Sequence, residues 1–407
     1  MVVCQTSKRI IDYEYLTFSP ADPMNRFYLI VSLLSGLSLC SAFADTWIEP
    51  PLTTEKGYPV PQPDTPPVVP SAHGAHPAYA IEWWYWVGHL EAVDGSEAFG
   101  FQSTVFRVAG DPKKDLTRGV PGMTFGEKQL YMSHAALSEI ETGRYTNVER
   151  VMRQGWQAHS AVGQLDLQAP PIRALGINGG ARFEMSFNLP GDTSVRLDLI
   201  PAKPIVAFGQ RGLSRKGADP AAVSLYWTYT RLDVKGSISR KGVETPVHGI
   251  AWQDHEISSS QLGSDLEGWD WTAIQLFDGT EVKAYRLRTD EGGSDPWSAV
   301  YWIDSEGTVR GVYADQFTWE EDAYWKSPKT GLRYPTSLTV VATDPADGQA
   351  KTYRLRPLID AQEFIGNNGN NPYWEGACRV LNADGVEIGR AYLELAGYGG
   401  GLAGQLN

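Results

Sequence analysis

Strand-like runs recur along this chain at short intervals, and no long stretch places its apolar residues at helical spacing. IEWWYWVGHL (81–90), AFGFQSTVFRV (98–108), ARFEMSFNL (181–189), SVRLDLI (194–200) and SLYWTYTRLDV (224–234) are rich in aromatic and β-branched residues. Turn signals such as Asp94-Gly95, Pro190-Gly191 and Asp278-Gly279 separate such runs. Helices should therefore be few, and the pattern is that of antiparallel barrels or sandwiches. Composition agrees: 42 Gly and 14 Trp with only 20% charged residues suit a turn-rich β protein, and 42% hydrophobic residues are enough for real cores.

A chain of 407 residues has room for about two domains. A weak internal repeat supports two related ones. Trp83, Tyr85, His89 and Leu90 precede Asp94-Gly95, and Trp269, Trp271, Gln275 and Leu276 precede Asp278-Gly279 in the same order. We place an N-terminal domain over 73–260 and a C-terminal domain over 261–407, joined by ISSSQLGSDLEG (257–268). Upstream, eight prolines in residues 50–70 mark 45–72 as an extended linker without packed structure.

Residues 27–39 (FYLIVSLLSGLSL) form a short apolar run after Arg26, followed by Ala42-Phe43-Ala44. This reads as a secretory signal spanning 1–44 with cleavage before Asp45, and hence as a periplasmic or secreted protein. Met24 offers an alternative start, which would make 1–23 an over-extension. A lipoprotein signal ending at Cys40 is disfavoured by the bulk of Leu39, and a retained N-terminal anchor is the remaining rival. Cleavage would leave Cys378 as the sole cysteine, too few for an intramolecular disulfide or a Cys-rich zinc site.

A formal net charge of −13 argues against nucleic acid as a partner. The chain has no Gly-x-Ser-x-Gly elbow, no P-loop and no strand–GxGxxG–helix fingerprint. Asp254-His255-Glu256 invites a metal reading, but successive strand residues point to opposite faces, so one ion could not easily collect all three. Neither a metal nor a cofactor is expected.

The same alternation makes 248–256 (HGIAWQDHE) the candidate site. Read as a strand, it puts His248, Ile250, Trp252, Asp254 and Glu256 on one face, the two carboxylates about 6.6 Å apart. A carboxyl among aromatic rings loses hydration, so its pKa rises and it can remain protonated near neutrality. Such an acid can protonate an alkene, and ring faces can stabilise the resulting cation until water captures it. Trp84, Tyr226, Trp227, Trp252, Trp269 and Trp271 are candidates for that wall. The plainer alternative is that these tryptophans pack cores and the Asp–His–Glu run ties strands together.

These segments resemble the secreted, lipocalin-like family that groups carotenoid 1,2-hydratases with AttH. The resemblance spans 76–398. It is carried by Glu82-Trp83-Trp84-Tyr85, Gly88-His89-Leu90, Phe99-Gly-Phe-Gln102, His134-Ala135-Ala136, Gly249-Ile-Ala-Trp252-Gln-Asp254-His255-Glu256, Gly268-Trp269-Asp270-Trp271, Tyr373-Trp374-Glu375-Gly376 and Tyr392-Leu-Glu394. It implies an all-β fold of two tandem lipocalin-like antiparallel β-barrels packed together. In the carotenoid-hydratase branch the proton donor is the Asp of a Tyr-x-Asp segment, which falls on Asp254 with Trp252 in place of the Tyr. That branch's His-x-Trp pair falls on Leu225-Tyr226-Trp227, so the Trp is kept and the His is absent.

The expectation is an exported protein hydrating a C=C bond of a lipophilic, isoprenoid-like molecule. Asp254 would be the acid, Glu256 or His248 would position water, and the tryptophans would shape the pocket. Family members also accompany ABC-type export permeases, so a non-catalytic lipid or isoprenoid carrier is the alternative. A hydrolase using Asp254 and Glu256 is a third, weaker reading.

Overall fold

The computed structural model describes residues 47–110, 129–263, 265–367, 372–400 and 402. The signal-peptide expectation for 1–44 falls outside them. Among the described residues the fold is all-β: one thirteen-stranded and one ten-stranded antiparallel sheet, with helix reduced to three 3-10 turns of three residues each. Among the described residues, no helix is long and apolar enough to cross a membrane.

Six strands position the site and are labelled here: β1 (Ile81–Ala92), β2 (Val223–Arg240), β3 (Val243–Ser258), β4 (Leu266–Leu276), β5 (Tyr373–Leu381) and β6 (Glu387–Ala396). In the first sheet, the opening strand β1 lies between the strand that follows it, Ala98–Val108, and the closing strand β3. In the second sheet, β4 lies between Glu281–Thr289 and the closing strand β6. Each half therefore pairs its first strand with its last, which is the topology of two lipocalin-like barrels. The repeat seen in the sequence corresponds to these two opening strands.

Alternation along each strand sorts the residues between cores. The first sheet curls around Trp84, Trp86, Phe101, Phe187 and Leu199, and Ser133 donates a hydrogen bond to the Ala169 carbonyl across the curl. The second sheet has its own core around Leu338, Leu355, Trp374 and Leu393. A third apolar cluster takes Tyr85, Val87 and Trp252 from the first sheet and Trp271, Ala273 and Tyr285 from the second. Burial of this shared cluster is what holds the halves face to face.

The proline-rich segment differs from its expectation. It is extended but packed. Val60 and Ala72 are buried with Leu213, Val223, Leu225, Trp227 and Ile257, and Trp47 packs against the same cluster. Arg215 donates to the Ile48 carbonyl (2.8 Å) and Ser259 to that of Pro59 (2.5 Å). Proline composition removes backbone donors but leaves the carbonyls and the apolar side chains, and both are used here.

Candidate active site between the two sheets

A cavity of about 190 Å³ lies where the inward faces of the two sheets meet. Its first wall is built by alternate residues of β1, β2 and β3: Trp83 and Tyr85, Tyr226, then Asp254 and Glu256. Its second wall is built the same way by β4, β5 and β6: Trp269 and Trp271, Tyr373 and Glu375, then Glu394 and Ala396. The registers match strand for strand. Tyr85 sits opposite Asp254, which sits opposite Thr228; Trp271 sits opposite Glu394, which sits opposite Glu375. Asp254 and Glu394 thus occupy equivalent positions in the two halves.

Asp254 is buried and accepts three side-chain hydrogen bonds. Thr228 (2.5 Å) and Trp252 (2.8 Å) donate to Oδ1, and Tyr226 (2.8 Å) donates to Oδ2. Burial raises its pKa to about 6, while Lys283 and the three donors hold it down. At pH 7 the carboxylate form therefore predominates. Glu256, two residues on, is paired with Lys216 (2.7 Å) and accepts from Ser224 (2.5 Å). Lys283 is fully buried, with Nζ 3.2 Å from the centre of the Tyr226 ring and without a hydrogen-bond partner among the described residues. Burial, then the charge of Lys216, pushes its pKa well down. Lys216 and, from the strand Glu281–Thr289 of the second sheet, Lys283 thus stand beside the two carboxyl groups of the first wall.

The second wall is different. Glu375 is buried, accepts a hydrogen bond from Tyr85 at Oε1, and has no partner at Oε2 among the described residues. Burial and the facing Glu394 push its pKa well above the usual carboxylate range. Glu394 is pushed up to about 8 by burial, against a hydrogen bond from Trp269, with Asp254 and Glu256 adding to the rise. No lysine or arginine pairs with either among the described residues. Beside them, the Tyr373 hydroxyl joins Gln102 (2.7 Å) and His134 (2.9 Å).

Of the residues singled out from sequence, Asp254, Glu256, Tyr226, Trp269 and Trp271 line the cavity. Trp252 stands behind Asp254 as its hydrogen-bond donor and meets Trp271 edge-on at 6.1 Å. Three are placed elsewhere. His248 is exposed near the hairpin end of β3, opposite Glu91 and Lys235 and six residues along the strand from Asp254. It cannot position water at Asp254. Trp227 and Trp84 point to the opposite face of the first sheet, being adjacent in sequence to the cavity-lining Tyr226, Trp83 and Tyr85; Trp84 stacks on His255 at 4.8 Å and Trp227 lies edge-on to it at 6.2 Å. Glu375 and Glu394 were not assigned roles from sequence. Tyr373-x-Glu375 and Tyr392-x-Glu394 show the same period-two spacing as Trp252-x-Asp254, and that was the available signal.

His255 faces away from Asp254 and Glu256, as alternation requires. It bonds the Glu82 carboxylate (2.8 Å) and the Ala72 carbonyl (2.7 Å). The ligand atoms of His76, Glu82 and His255 lie within 4.8 Å of one another. Arg107, fully buried, already holds the same carboxylate at 2.7 Å, so its charge is balanced internally and a cation there would meet the guanidinium.

A family model described as AttH-like matches residues 60–398. The chain belongs to the AttH-like family. A putative AttH from Nitrosomonas europaea is 31% identical, covering 83% of this chain and 99% of its own, with a TM-score of 0.70. Kievitone hydratase from Nectria haematococca is 12% identical, covering 86% of this chain and 97% of its own, with a TM-score of 0.59, a likeness of fold. No curated protein matches the chain. In this AttH-like protein the site is shared by both halves, so neither sheet alone encloses it.

Proposed function

We propose that this AttH-like protein is an exported hydratase that adds water across a C=C bond of a lipophilic, isoprenoid-like molecule held between the two sheets. The observation that carries the reading is Asp254: a buried carboxyl that borders the cavity between the sheets and hydrogen-bonds an indole and a phenol of that cavity's aromatic surround. Ile81, Trp83, Phe106, Met132, Leu262 and Leu287 give the same cavity apolar walls, which suit a hydrocarbon chain. Proton transfer by positioned carboxyl groups is all that hydration of an activated alkene needs, so the reaction calls for no cofactor. The hydratase of similar fold supports the same class of chemistry.

The test is incubation of the full chain with an apolar lipid extract in water labelled with heavy oxygen, read by mass spectrometry. The wild-type protein should produce a lipid that has gained one labelled water, and Asp254→Asn should lower its formation by about 10²–10⁴-fold while still retaining the unhydrated lipid. Wild-type protein that binds lipid and returns it unlabelled would sink the reading.

That result would favour a second reading, a carrier that delivers a lipid or isoprenoid to an ABC-type export permease. The apolar cavity alone supports it. Under it, Asp254→Asn would leave lipid uptake and transfer unchanged.

A further inference from the structure

The two walls of the cavity are built to the same plan but carry opposite electrostatics. At the position facing Asp254 the first sheet supplies Thr228, a hydroxyl that donates to it. At the position facing Glu394 the second sheet supplies Glu375, another carboxyl. A carboxyl surrounded by three donors, with lysines nearby, is set up to be an anion. Two carboxyls directly opposite on adjacent strands, buried and without a cation, cannot both ionise. The unpartnered Oε2 of Glu375 also fits this state, because a buried oxygen without a donor is tolerated far better in a neutral carboxyl than in an anion.

We propose that Glu375 and Glu394 form a proton-holding pair that protonates the bound alkene, while Asp254 on the facing wall takes the proton of the attacking water. This rests on the hydration reading and reverses the role that sequence assigns to Asp254. The step balances. A carboxyl of the pair gives up its proton, which forms the new C–H bond as the π bond breaks. Water oxygen forms the C–O bond at the neighbouring carbon, and the proton it sheds goes to the Asp254 carboxylate. Alkene and water become an alcohol, the pair is one proton poorer and Asp254 one richer, and exchange with water after release restores both. Because the two groups come from different sheets, proton donor and proton acceptor can flank a substrate lying between the sheets.

The ionisable groups facing the pair are Tyr85, Asp254 and Glu256 from the first wall, Tyr145 from the strand Arg144–Arg153, and Tyr373 and Tyr392 from its own strands. Burial holds all four tyrosines neutral, so none is a phenolate that would take the pair's proton.

Infrared titration of the full chain locates the proton without any substrate. The wild-type protein should show the C=O stretch of a buried protonated carboxyl at pH 7, fading only above about pH 8. Asp254→Asn should keep that band, and Glu375→Gln/Glu394→Gln together should remove it. Glu394→Gln alone, which relieves the like-charge opposition, should shift the fading to lower pH, and in the heavy-oxygen incubation should slow hydration by about 10²–10⁴-fold. A band that survives the double variant and vanishes in Asp254→Asn would place the proton on the first wall and overturn the proposal, as would the absence of any such band at pH 7. If the band behaves as expected but no labelled lipid forms, the hydration reading fails, and with it the donor role, while the pair keeps its proton.

Discussion

Tyr85 stands beside Asp254 on the neighbouring strand of the first sheet, yet its hydroxyl crosses the cavity to donate to Glu375 in the second. One side chain therefore links the carboxyl groups of both walls. The aromatic ring of Tyr85 also meets Trp271, its counterpart in the other half, edge-on at 5.4 Å. Tyr85→Phe keeps that ring contact and removes the hydrogen bond. Glu375 would then have neither oxygen satisfied, at a cost of about 1–3 kcal/mol that urea unfolding should read. Since the Tyr85 hydrogen bond lowers the pKa of Glu375, its loss should also make the protonated-carboxyl band persist to higher pH.

Thr228 tunes the other wall. Its donation to Asp254 favours the carboxylate, so Thr228→Val should raise the Asp254 pKa above its value of about 6. The acid limb of the hydration rate, which reports conversion of Asp254 to its ionised form, should move to higher pH, with the rate at neutrality falling. A limb that moved to lower pH, or stayed in place, would show that Asp254 does not control it.

The second wall should carry a cost in stability. A carboxyl whose pKa is raised by folding contributes stability that is complete below its unfolded value and is lost as pH rises through the folded one. For Glu394 that window runs from about 4.5 to about 8. Glu394→Gln should therefore be more stable than the wild-type chain at pH 8, by up to a few kcal/mol, with the advantage shrinking toward pH 4.5. The sign is opposite for His73 and His89, which burial lowers to about 4 from 6.5. Their contribution is present above pH 6.5 and is lost as pH falls toward 4, so His89→Gln should flatten the decline in thermal midpoint over that range. Groups that cost stability at working pH are expected where a site needs them.

Much of this architecture could be read along the chain because alternation is a local signal. Trp83, Tyr85, Trp269 and Trp271 revealed the two opening strands, and Trp252-x-Asp254-x-Glu256 revealed one wall of the cavity. What could not be read depends on pairing at a distance. The opposition of Glu375 and Glu394 needs the register of β5 against β6, and their approach to Tyr85 needs the two sheets folded face to face. His248 shares the alternation of Asp254 but is exposed and outside the cavity, and nothing within the strand marks where the cavity ends. Tyr226 and Trp227 were both assigned to one wall although adjacent strand residues face opposite ways. The packing of Val60 and Ala72 was hidden because proline content reports backbone stiffness and says nothing about what the backbone lies against.

How closely the walls approach depends on Gly100, in the strand Ala98–Val108, and Ala377 in β5. A Cβ added at Gly100 would stand 2.7 Å from the Ala377 methyl carbon, closer than two carbons can pack. Gly100→Ala should therefore push the sheets apart locally, at about 1–3 kcal/mol of overpacking. The strain falls on β5 two residues from Glu375, so its bond to Tyr85 should lengthen and hydration should slow, although neither substituted position touches the cavity carboxyls. Gly100→Ala combined with Ala377→Gly exchanges the methyl group between sheets and removes the clash. If the close approach of these two residues sets the spacing, the double variant should recover most of the stability and rate lost by Gly100→Ala, a coupling of at least 0.5 kcal/mol in the double-mutant cycle, about the lower limit for residues in contact. Additive effects would place the spacing control elsewhere, in the shared cluster around Trp252 and Trp271.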